Sequence, residues 1–259
     1  MPSGFTVFGY EIKFYGVIIA LGFLLGIFLI SYFAKKKGFH KDIPYDLVLL
    51  IFPLSIIGAR LYYVAFSGRS WTLGEVLALQ SGGLAIYGGV IGGFIALLIY
   101  GKIKKIKTIR LTDLVVPALI LGQVLGRWGN FFNQEAYGPL VTNPSLQWFP
   151  YAVFIEAESA WHMATFFYES MWNLIGFIAI LLLYSKTNKN AYVTSFYLVY
   201  YGIGRTLIEG LRTDSLYIGS STLRVSQVLS MILIAVGVAL FIYYYIKQHP
   251  KTFKERRSK

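Results

Sequence analysis

The sequence KFYGVIIALGFLLGIFLISYF occupies residues 13–33, and the basic run AKKKGFHK follows it directly at residues 34–41. An apolar stretch of about 20 residues is long enough to span the hydrocarbon core of a bilayer as an α-helix. A secretory signal peptide carries its positive charges before the apolar run, whereas the lysines here come after it. The stretch therefore predicts a retained transmembrane helix.

Six further apolar stretches follow along the chain, and three of them contain Asp113, Glu169 or Arg205. They lie at residues 46–66, 84–101, 112–128, 166–184, 192–209 and 225–246. Together with the first stretch, they predict an all-α polytopic membrane protein with seven transmembrane helices. We expect residues 1–259 to form a single integral membrane domain.

The composition agrees with a membrane protein. Hydrophobic residues make up 56% of the 259 residues, and charged residues only 14%. Because a soluble domain carries about 25% charged residues, the chain has too few charges for an ordinary soluble enzyme. It is also too apolar to be intrinsically disordered.

Basic residues outnumber acidic ones by 24 to 12, which gives a formal net charge of +12. Seventeen of the 24 fall in the loops 34–42, 102–110 and 185–191 and in the tail 247–259. In a seven-helix chain these four segments share one side. Because Lys and Arg accumulate on the cytoplasmic side, we expect the N-terminus outside and a basic cytoplasmic tail at the C-terminus. This distribution sets the topology, and it argues against nucleic acid as a partner.

Six of the other seven basic residues are arginines. The seven are Lys13, Arg60, Arg69, Arg127, Arg205, Arg212 and Arg224. Arginine presents a planar fork of donors that suits phosphate and carboxylate groups, and an ionisable residue in or beside a membrane indicates function. The acidic partners available to them are Asp113, Glu135, Glu169, Glu209 and Asp214. Ion pairs that join helices are the structural alternative.

Polar side chains are concentrated in GRWGNFFNQEAYG at residues 126–138, where an apolar stretch ends. Arg127, Asn130, Asn133 and Glu135 supply charge, donors and acceptors within nine positions. The cluster predicts a site for a lipid head group.

A second motif, YGIGRTLIEGLRTD, occupies residues 201–214. Tyr201, Arg205, Glu209 and Arg212 have the spacing of one helical face. We expect Arg127 and Arg205 to converge on one phosphate group. An Arg–Glu–Arg ladder within the helix is the structural alternative.

Two other segments give weaker indications. The glycine-rich sequence SGGLAIYGGVIGG at 81–93 favours close packing of helices, although room for a lipid beside Tyr87 is an alternative. Residues 139–165 are rich in proline and irregular, which predicts a small extracytoplasmic loop or cap over the site. We interpret His162, in this segment, as a surface or packing residue.

The motif GRWGNFFNQEAYG resembles the hallmark motif of bacterial prolipoprotein diacylglyceryl transferases. The resemblance extends along most of the chain. It includes FYG at 14–16, GARLYYV at 58–64, the glycine-rich segment, Asp113, YE at 168–169, YGIGRTLIEGLRTD and RVSQVLS at 224–230. It implies an enzyme of the bacterial cell membrane with its active site on the extracytoplasmic side. Such an enzyme transfers the diacylglyceryl group of phosphatidylglycerol to the lipobox cysteine of a prolipoprotein, forms a thioether and releases glycerol phosphate.

The resemblance also implies residue roles. Arg127 matches the arginine that binds phosphatidylglycerol, and Arg205 matches a second essential arginine. The other matched positions are Asn130, Glu135, Gly138, Tyr201, Glu209 and Arg212. We assign substrate binding or catalysis to them, and substrate binding to Asn133. Tyr87 stands where many members carry a histidine proposed as the base. The proton acceptor therefore stays open between Tyr87 and Glu135.

The absence of cysteine has a chemical consequence. If the chain modifies a thiol, the nucleophile must belong to the prolipoprotein substrate. With only three histidines as well, the sequence predicts neither a metal nor a cofactor. A transporter or flippase of an anionic lipid and a non-catalytic membrane scaffold are the alternative functions.

Overall fold

The computed structural model describes residues 3–79, 82–213, 217 and 223–250. Within these residues the chain forms eight α-helices, seven of which coincide with the seven predicted stretches. The helices are α1 (Phe14–Lys36), α2 (Ile43–Phe66), α3 (Leu73–Leu77), α4 (Ile86–Ile103), α5 (Thr108–Asn133), α6 (Thr165–Lys186), α7 (Tyr192–Glu209) and α8 (Val225–Gln248). The additional helix, α3, has five residues and lies in the connection between two long helices.

Six of the long helices are apolar enough over 18 residues to cross a membrane. Helix α7 is 18 residues long but is not among the six, because Arg205, Glu209 and several tyrosines lower its hydropathy. The polytopic membrane fold is thus supported, and the seventh crossing stays a prediction.

The chain forms two compact units, each containing long apolar helices. One comprises Met1–Leu29 and Val115–Lys259, and the other comprises Ile30–Leu114. The expectation of a single integral membrane domain stays a prediction. Asp214 and residues 251–259 of the predicted basic tail lie outside the described residues, and helix α8 extends into the first positions of that tail.

In the first unit, α6 packs against α7 and α7 against α8. The Trp172 indole donates to the Tyr200 carbonyl at 3.2 Å, and the Tyr200 hydroxyl donates back to the Trp172 carbonyl at 2.9 Å. The Ser170 hydroxyl joins α6 to α5 by donating to the Val124 carbonyl at 3.0 Å. Side-chain bonds to backbone carbonyls thus fix the relative positions of three neighbouring helices.

Two antiparallel hairpins of the first unit add to the predicted all-α architecture. Strands β1 (Gly4–Val7) and β2 (Tyr10–Lys13) precede α1, and strands β3 (Ala152–Ile155) and β4 (Ala160–Met163) lie between α5 and α6. The second hairpin belongs to the predicted loop or cap at 139–165. Buried residues of that segment pack against aromatic side chains of α5 and α6, namely Trp128, Phe131 and Phe167. The segment, which we call the cap, therefore shares an apolar cluster with α5 and α6, and its position over the site stays a prediction.

In the second unit, glycines bring α2 and α4 into close contact. A Cβ atom at Gly88 would overlap the Gly58 carbonyl, and one at Gly92 would overlap the Leu54 carbonyl. The structure thus shows the close helix packing predicted for the glycine-rich segment.

Helix α3 begins with a capping box. The Thr72 backbone N–H donates to the Glu75 carboxylate at 2.8 Å, and the Thr72 hydroxyl also donates to it at 2.8 Å. These two bonds lower the pKa of Glu75 because they stabilise its ionised form. A five-residue helix thereby gains a defined N-terminus.

Arg60 on α2 secures the same connection from inside the protein. Its side chain is buried, at 3% exposure, and it donates to backbone carbonyls instead of pairing with a carboxylate. The acceptors are the carbonyls of Glu75 (2.6 Å), Val76 (3.0 Å), Ala78 (3.2 Å), Gly82 and Gly83 (3.0 Å). Arg60 therefore anchors α3 and the turn before α4 to α2 by hydrogen bonds.

Candidate active site

Four helix ends of the first unit meet at the candidate site. Helices α5 and α7 end there, and α6 and α8 begin there. Arg127 of α5, Glu169 of α6, Arg205 of α7 and Ser226 of α8 form one group of contacts. An alternating up-and-down chain thus gathers polar residues that are far apart in sequence.

Both predicted phosphate-binding arginines contact the same carboxylate. Arg127 Nη2 lies 2.9 Å from Glu169 Oε1, and Arg205 Nη1 lies 3.1 Å from Glu169 Oε2. Arg205 Nη2 also lies 2.6 Å from Glu209 Oε2 and 3.5 Å from the Ser226 hydroxyl. Arg127 and Arg205 therefore converge on the Glu169 carboxylate, and their convergence on a phosphate group stays a prediction. We call these two residues the arginine clamp.

The carboxylates of this cluster lie deeper than the guanidinium groups. The side chains of Glu169 and Glu209 are 4% and 2% exposed, whereas those of Arg127 and Arg205 are 17% and 15% exposed. The ion-pair alternative is thus correct as a description of the contacts. The partial exposure of both arginines nevertheless leaves guanidinium edges that an anion can reach.

The motif at 126–138 continues the polar network outward from Arg127. Arg127 Nη1 donates to Asn130 Oδ1 at 3.2 Å, and Asn130 Nδ2 donates to Glu135 Oε1 at 2.8 Å. Asn133 Nδ2 donates to the same Glu135 oxygen at 3.3 Å. Asn133 and Glu135 are exposed. The motif is therefore a continuous chain of hydrogen bonds from the arginine clamp to a solvent-facing carboxylate.

Gly138 is the point where the cap meets the helices. A Cβ atom there would lie 2.7 Å from Thr165 Cγ2 and 2.9 Å from the Leu211 carbonyl oxygen. The Gly138 N–H donates to the Met163 carbonyl at 2.9 Å. Close packing is sufficient to require glycine at this position, and its assignment to substrate binding stays a prediction.

His162 is a packing residue of the cap and does not lie on its surface. Its side chain is 6% exposed, with Nδ1 2.9 Å from the Gly138 carbonyl and Nε2 2.9 Å from Glu158 Oε2. The ring also packs on Tyr137, with centroids 4.6 Å apart. These contacts hold the cap hairpin against Gly138, the last residue of the motif at 126–138.

The second motif is helical only as far as Glu209. Tyr201, Arg205 and Glu209 share one face of α7, as predicted, and Tyr201 stacks on Tyr197 with ring centroids 5.6 Å apart. The prediction that Arg212 continues this face is wrong, because α7 ends before Gly210. The Arg212 N–H instead donates to the Glu209 carbonyl at 3.2 Å in the turn that follows.

Tyr87 belongs to the second unit. It lies in the first turn of α4, and its ring centroid is 6.1 Å from that of Tyr62. Its assignment as a proton acceptor stays a prediction.

Glu169 in the site and Tyr15 beside the motif at 126–138 were not assigned a role from the sequence. Glu169 was identified there only as an available acidic partner, although it bridges the arginine clamp. Tyr15, from the FYG segment, packs its ring against Gly129, and a Cβ atom at that glycine would lie 2.8 Å from Tyr15 Cε2. The signal for both was the occurrence of YE and FYG among the resemblance motifs.

Fold and site together define a polytopic helical membrane protein that presents two arginines at one end of a helix bundle, beside a small cap. The family model for prolipoprotein diacylglyceryl transferase matches residues 2–243. The chain belongs to this family, and it is therefore a transferase of lipoprotein biosynthesis.

Individual relatives are similar over nearly their whole length. The phosphatidylglycerol–prolipoprotein diacylglyceryl transferase 1 of Clostridium perfringens is 44% identical over 250 residues, which cover 93% of each chain. The enzyme of the same name from Streptococcus pneumoniae strain JJA is 44% identical over 253 residues, 95% of each chain. That of Streptococcus agalactiae serotype Ia is 42% identical over 254 residues, 96% of this chain and 97% of the relative. The predicted family is thus confirmed.

Proposed function

We propose that this protein transfers the diacylglyceryl group of phosphatidylglycerol to the thiol of the lipobox cysteine of a prolipoprotein. The observation that carries the proposal is the arginine clamp, in which guanidinium groups from α5 and α7 lie 2.9 and 3.1 Å from one carboxylate. Two such groups match the single phosphate of the lipid. The names of the relatives supply the two substrates, phosphatidylglycerol and prolipoprotein.

The reaction is a displacement at carbon. The cysteine sulfur attacks the glycerol carbon that bears the phosphodiester, so that a carbon–sulfur bond forms and a carbon–oxygen bond breaks. The phosphate oxygen keeps the electron pair of the broken bond, and glycerol phosphate leaves. Negative charge therefore grows on the phosphate, and Arg127 and Arg205 stabilise it by charge-assisted hydrogen bonds in a site of low dielectric constant.

The thiol proton needs an acceptor. At neutral pH a few per cent of a free cysteine is already thiolate, and the positive clamp favours that form. We assign the proton to Glu135 or Tyr87. Glu135 is exposed and joined to Arg127 through Asn130, so a proton that it accepts can pass to water. Asn130, Asn133, Gly138, Tyr201, Glu209 and Arg212 complete the proposed substrate site.

We further propose seven membrane crossings in a bacterial cell membrane, with the active site on the extracytoplasmic side. Helix α7 supplies the seventh crossing despite its lower hydropathy, because its polar residues contact α6 and α8. The positive-inside rule supports this orientation. In the first unit, Lys186, Lys189 and Lys247 lie at the helix ends opposite to the arginine clamp.

The test is lipid transfer by the purified protein in detergent. A synthetic peptide with a lipobox cysteine is expected to gain the mass of one diacylglyceryl group when phosphatidylglycerol is present, and the peptide with serine in place of that cysteine is not. A flippase would move the lipid across a vesicle membrane without any gain in peptide mass. A scaffold would give neither result, and either outcome would contradict the proposal.

A further inference from the structure

The arginine clamp is balanced by negative charge within the same cluster. Glu169 contributes one oxygen to each guanidinium group, and Glu209 pairs with Arg205 at 2.6 Å. When all four side chains are ionised, their charges sum to zero. An anion that binds the clamp therefore meets two positive charges whose attraction is already partly cancelled.

The burial of each side chain determines how strongly its charge attracts or repels the anion. The side chains of Arg127 and Arg205 are 17% and 15% exposed, whereas that of Glu169 is 4% exposed. An incoming phosphate contacts the arginines. The guanidinium groups then lie between the phosphate and the negative charge of Glu169. In a partly buried site this repulsion is felt strongly, because little water lies between the charges.

The charge of the phosphate changes during the proposed reaction. Phosphatidylglycerol is a phosphodiester with one negative charge, whereas a phosphate monoester carries about 1.5 to 2 negative charges at neutral pH. A clamp without opposing carboxylates would hold the product more tightly than the substrate. The product would then occupy the site and slow turnover.

We propose that Glu169 sets the anion affinity of the arginine clamp so that the more highly charged product is released after each turnover. The inference rests on the proposed function, because it concerns the fate of glycerol phosphate. In this role Glu169 is a positioning residue, since it aligns the two guanidinium groups and supplies their counter-charge without touching the reacting atoms. Its carboxylate contacts both arginines, and the Glu209 carboxylate contacts Arg205.

Two soluble probes isolate the effect of charge. Glycerol phosphate is a monoester like the product, and glycerophosphoglycerol is a diester with the head group of the substrate. We would measure the dissociation constant of each probe by calorimetry for the wild type and for Glu169→Gln, at pH 7.5 in detergent. We expect Glu169→Gln to shift the ratio of the two constants about tenfold in favour of the monoester, since one charge is removed a few ångströms from the anion.

Matched variants separate charge from geometry. Glu169→Asp keeps the charge but shortens the side chain, so its ratio should equal that of the wild type even where kcat falls. Glu11→Gln removes one charge from the exposed strand β2 and should leave the ratio unchanged. At pH 5 the monoester carries close to one charge, because its second pKa is about 6, and the preference of Glu169→Gln should disappear.

Three results would overturn the inference. These are an unchanged ratio in Glu169→Gln, weaker binding of both probes in that variant, and an equal shift in Glu11→Gln. Failure of the proposed function is distinguishable, because it would appear as absent lipid transfer by the wild type, whereas the probe ratio is measured without any transfer. If the wild type and Glu169→Gln both bind neither probe, the clamp is not an anion site and the inference also fails.

Discussion

Arg127 and Arg205 come from helices separated by the whole cap and by α6, yet their guanidinium groups contact the two oxygens of one carboxylate. A carboxylate and a phosphate offer the same kind of acceptor to an arginine fork. Glu169 therefore aligns the donors that bind the lipid phosphate in the proposed mechanism.

This arrangement predicts a large loss on removal of either arginine. Arg127→Ala or Arg205→Ala should lower kcat by about 100- to 1000-fold, which is typical when one charge-stabilising donor is lost. The double variant should lose much less than the product of the two factors, because the two groups act on one phosphate. The measurement is peptide lipidation by mass spectrometry. Near wild-type turnover in both single variants would contradict the phosphate clamp.

The proton acceptor can be identified by its dependence on pH. In a variant without the acceptor, the substrate thiol must ionise by itself, and its thiolate fraction rises with pH toward the ordinary pKa of about 8.5. We expect either Glu135→Gln or Tyr87→Phe to lose activity at pH 7 and to recover it at pH 9. The ratio of wild-type to variant rate, measured across this range, reads out the effect. Equal pH profiles for both variants and the wild type would exclude both assignments.

The buried side-chain amide of Asn173 on α6 is expected to lower the free energy of unfolding. Its side chain is 1% exposed, and neither amide atom has a hydrogen-bond partner within the part of the chain that the structure describes. Asn173→Leu removes this buried, unpaired amide at similar volume and should raise the free energy of unfolding by about 1–2 kcal/mol.

Ser170, one turn away on the same helix, is the matched control for Asn173. Its hydroxyl donates to the Val124 carbonyl at 3.0 Å, so Ser170→Ala should lower the stability by about 1 kcal/mol. Thermal unfolding in detergent compares the two. A loss of stability in Asn173→Leu equal to that in Ser170→Ala would show that the Asn173 amide is paired in solution.

At the scale of secondary-structure elements, the sequence predicted the long helices well because each one is a continuous apolar run. The predicted stretch 192–209 coincides with α7, and most other boundaries differ by only a few residues. Both hairpins were missed, since their strands have only four residues each, which is the lower limit at which alternation of apolar and polar residues indicates a strand. Arg212 was misplaced because Gly210 ends α7 and breaks the helical spacing on which the prediction relied.

The role of Glu169 could not be derived in the same way. An apolar run identifies a helix from local sequence alone, but the contact of Glu169 with Arg127 and Arg205 depends on how α5, α6 and α7 pack. The sequence restricted the candidates to a few acidic residues. Only the packing shows which of them meets both arginines.

Arg60 and the segment between α3 and α4 give a prediction at this scale. Arg60→Ala would leave five backbone carbonyls without their donor and should lower the free energy of unfolding by about 2–4 kcal/mol. Thermal unfolding in detergent, with limited proteolysis between residues 67 and 85, would measure the loss. Arg69 is the control. Its ion pair with Glu75 at 3.4 Å is exposed and it also contacts the Trp71 ring, so Arg69→Ala should lower the free energy of unfolding by about 1 kcal/mol or less. Equal losses of stability in Arg60→Ala and Arg69→Ala would contradict the role of Arg60 in anchoring α3 and the turn before α4.

At the scale of the whole molecule, the basic residues divide into two groups with different functions. Lysines predominate in the loops and tail that the predicted topology places on one side, where a solvated point charge is sufficient. Arginines predominate elsewhere, and the structure shows Arg60, Arg127 and Arg205 using several donors each. The net charge of +12 thus comes mainly from the loop and tail residues that orient the chain in the predicted topology. The proposed chemistry depends instead on two arginines whose charges are balanced by Glu169 and Glu209.

The absence of cysteine makes the proposed orientation directly testable, because any introduced cysteine is the only thiol in the chain. Ser145 lies in the cap and Asn188 in the loop between α6 and α7, and both are exposed. A membrane-impermeant maleimide should label Ser145→Cys in intact cells but Asn188→Cys only after permeabilisation. The same reagent on the cysteine-free protein is the control for background. Labelling in the reverse order would place the arginine clamp on the cytoplasmic side. That result would contradict the orientation predicted from the basic loops.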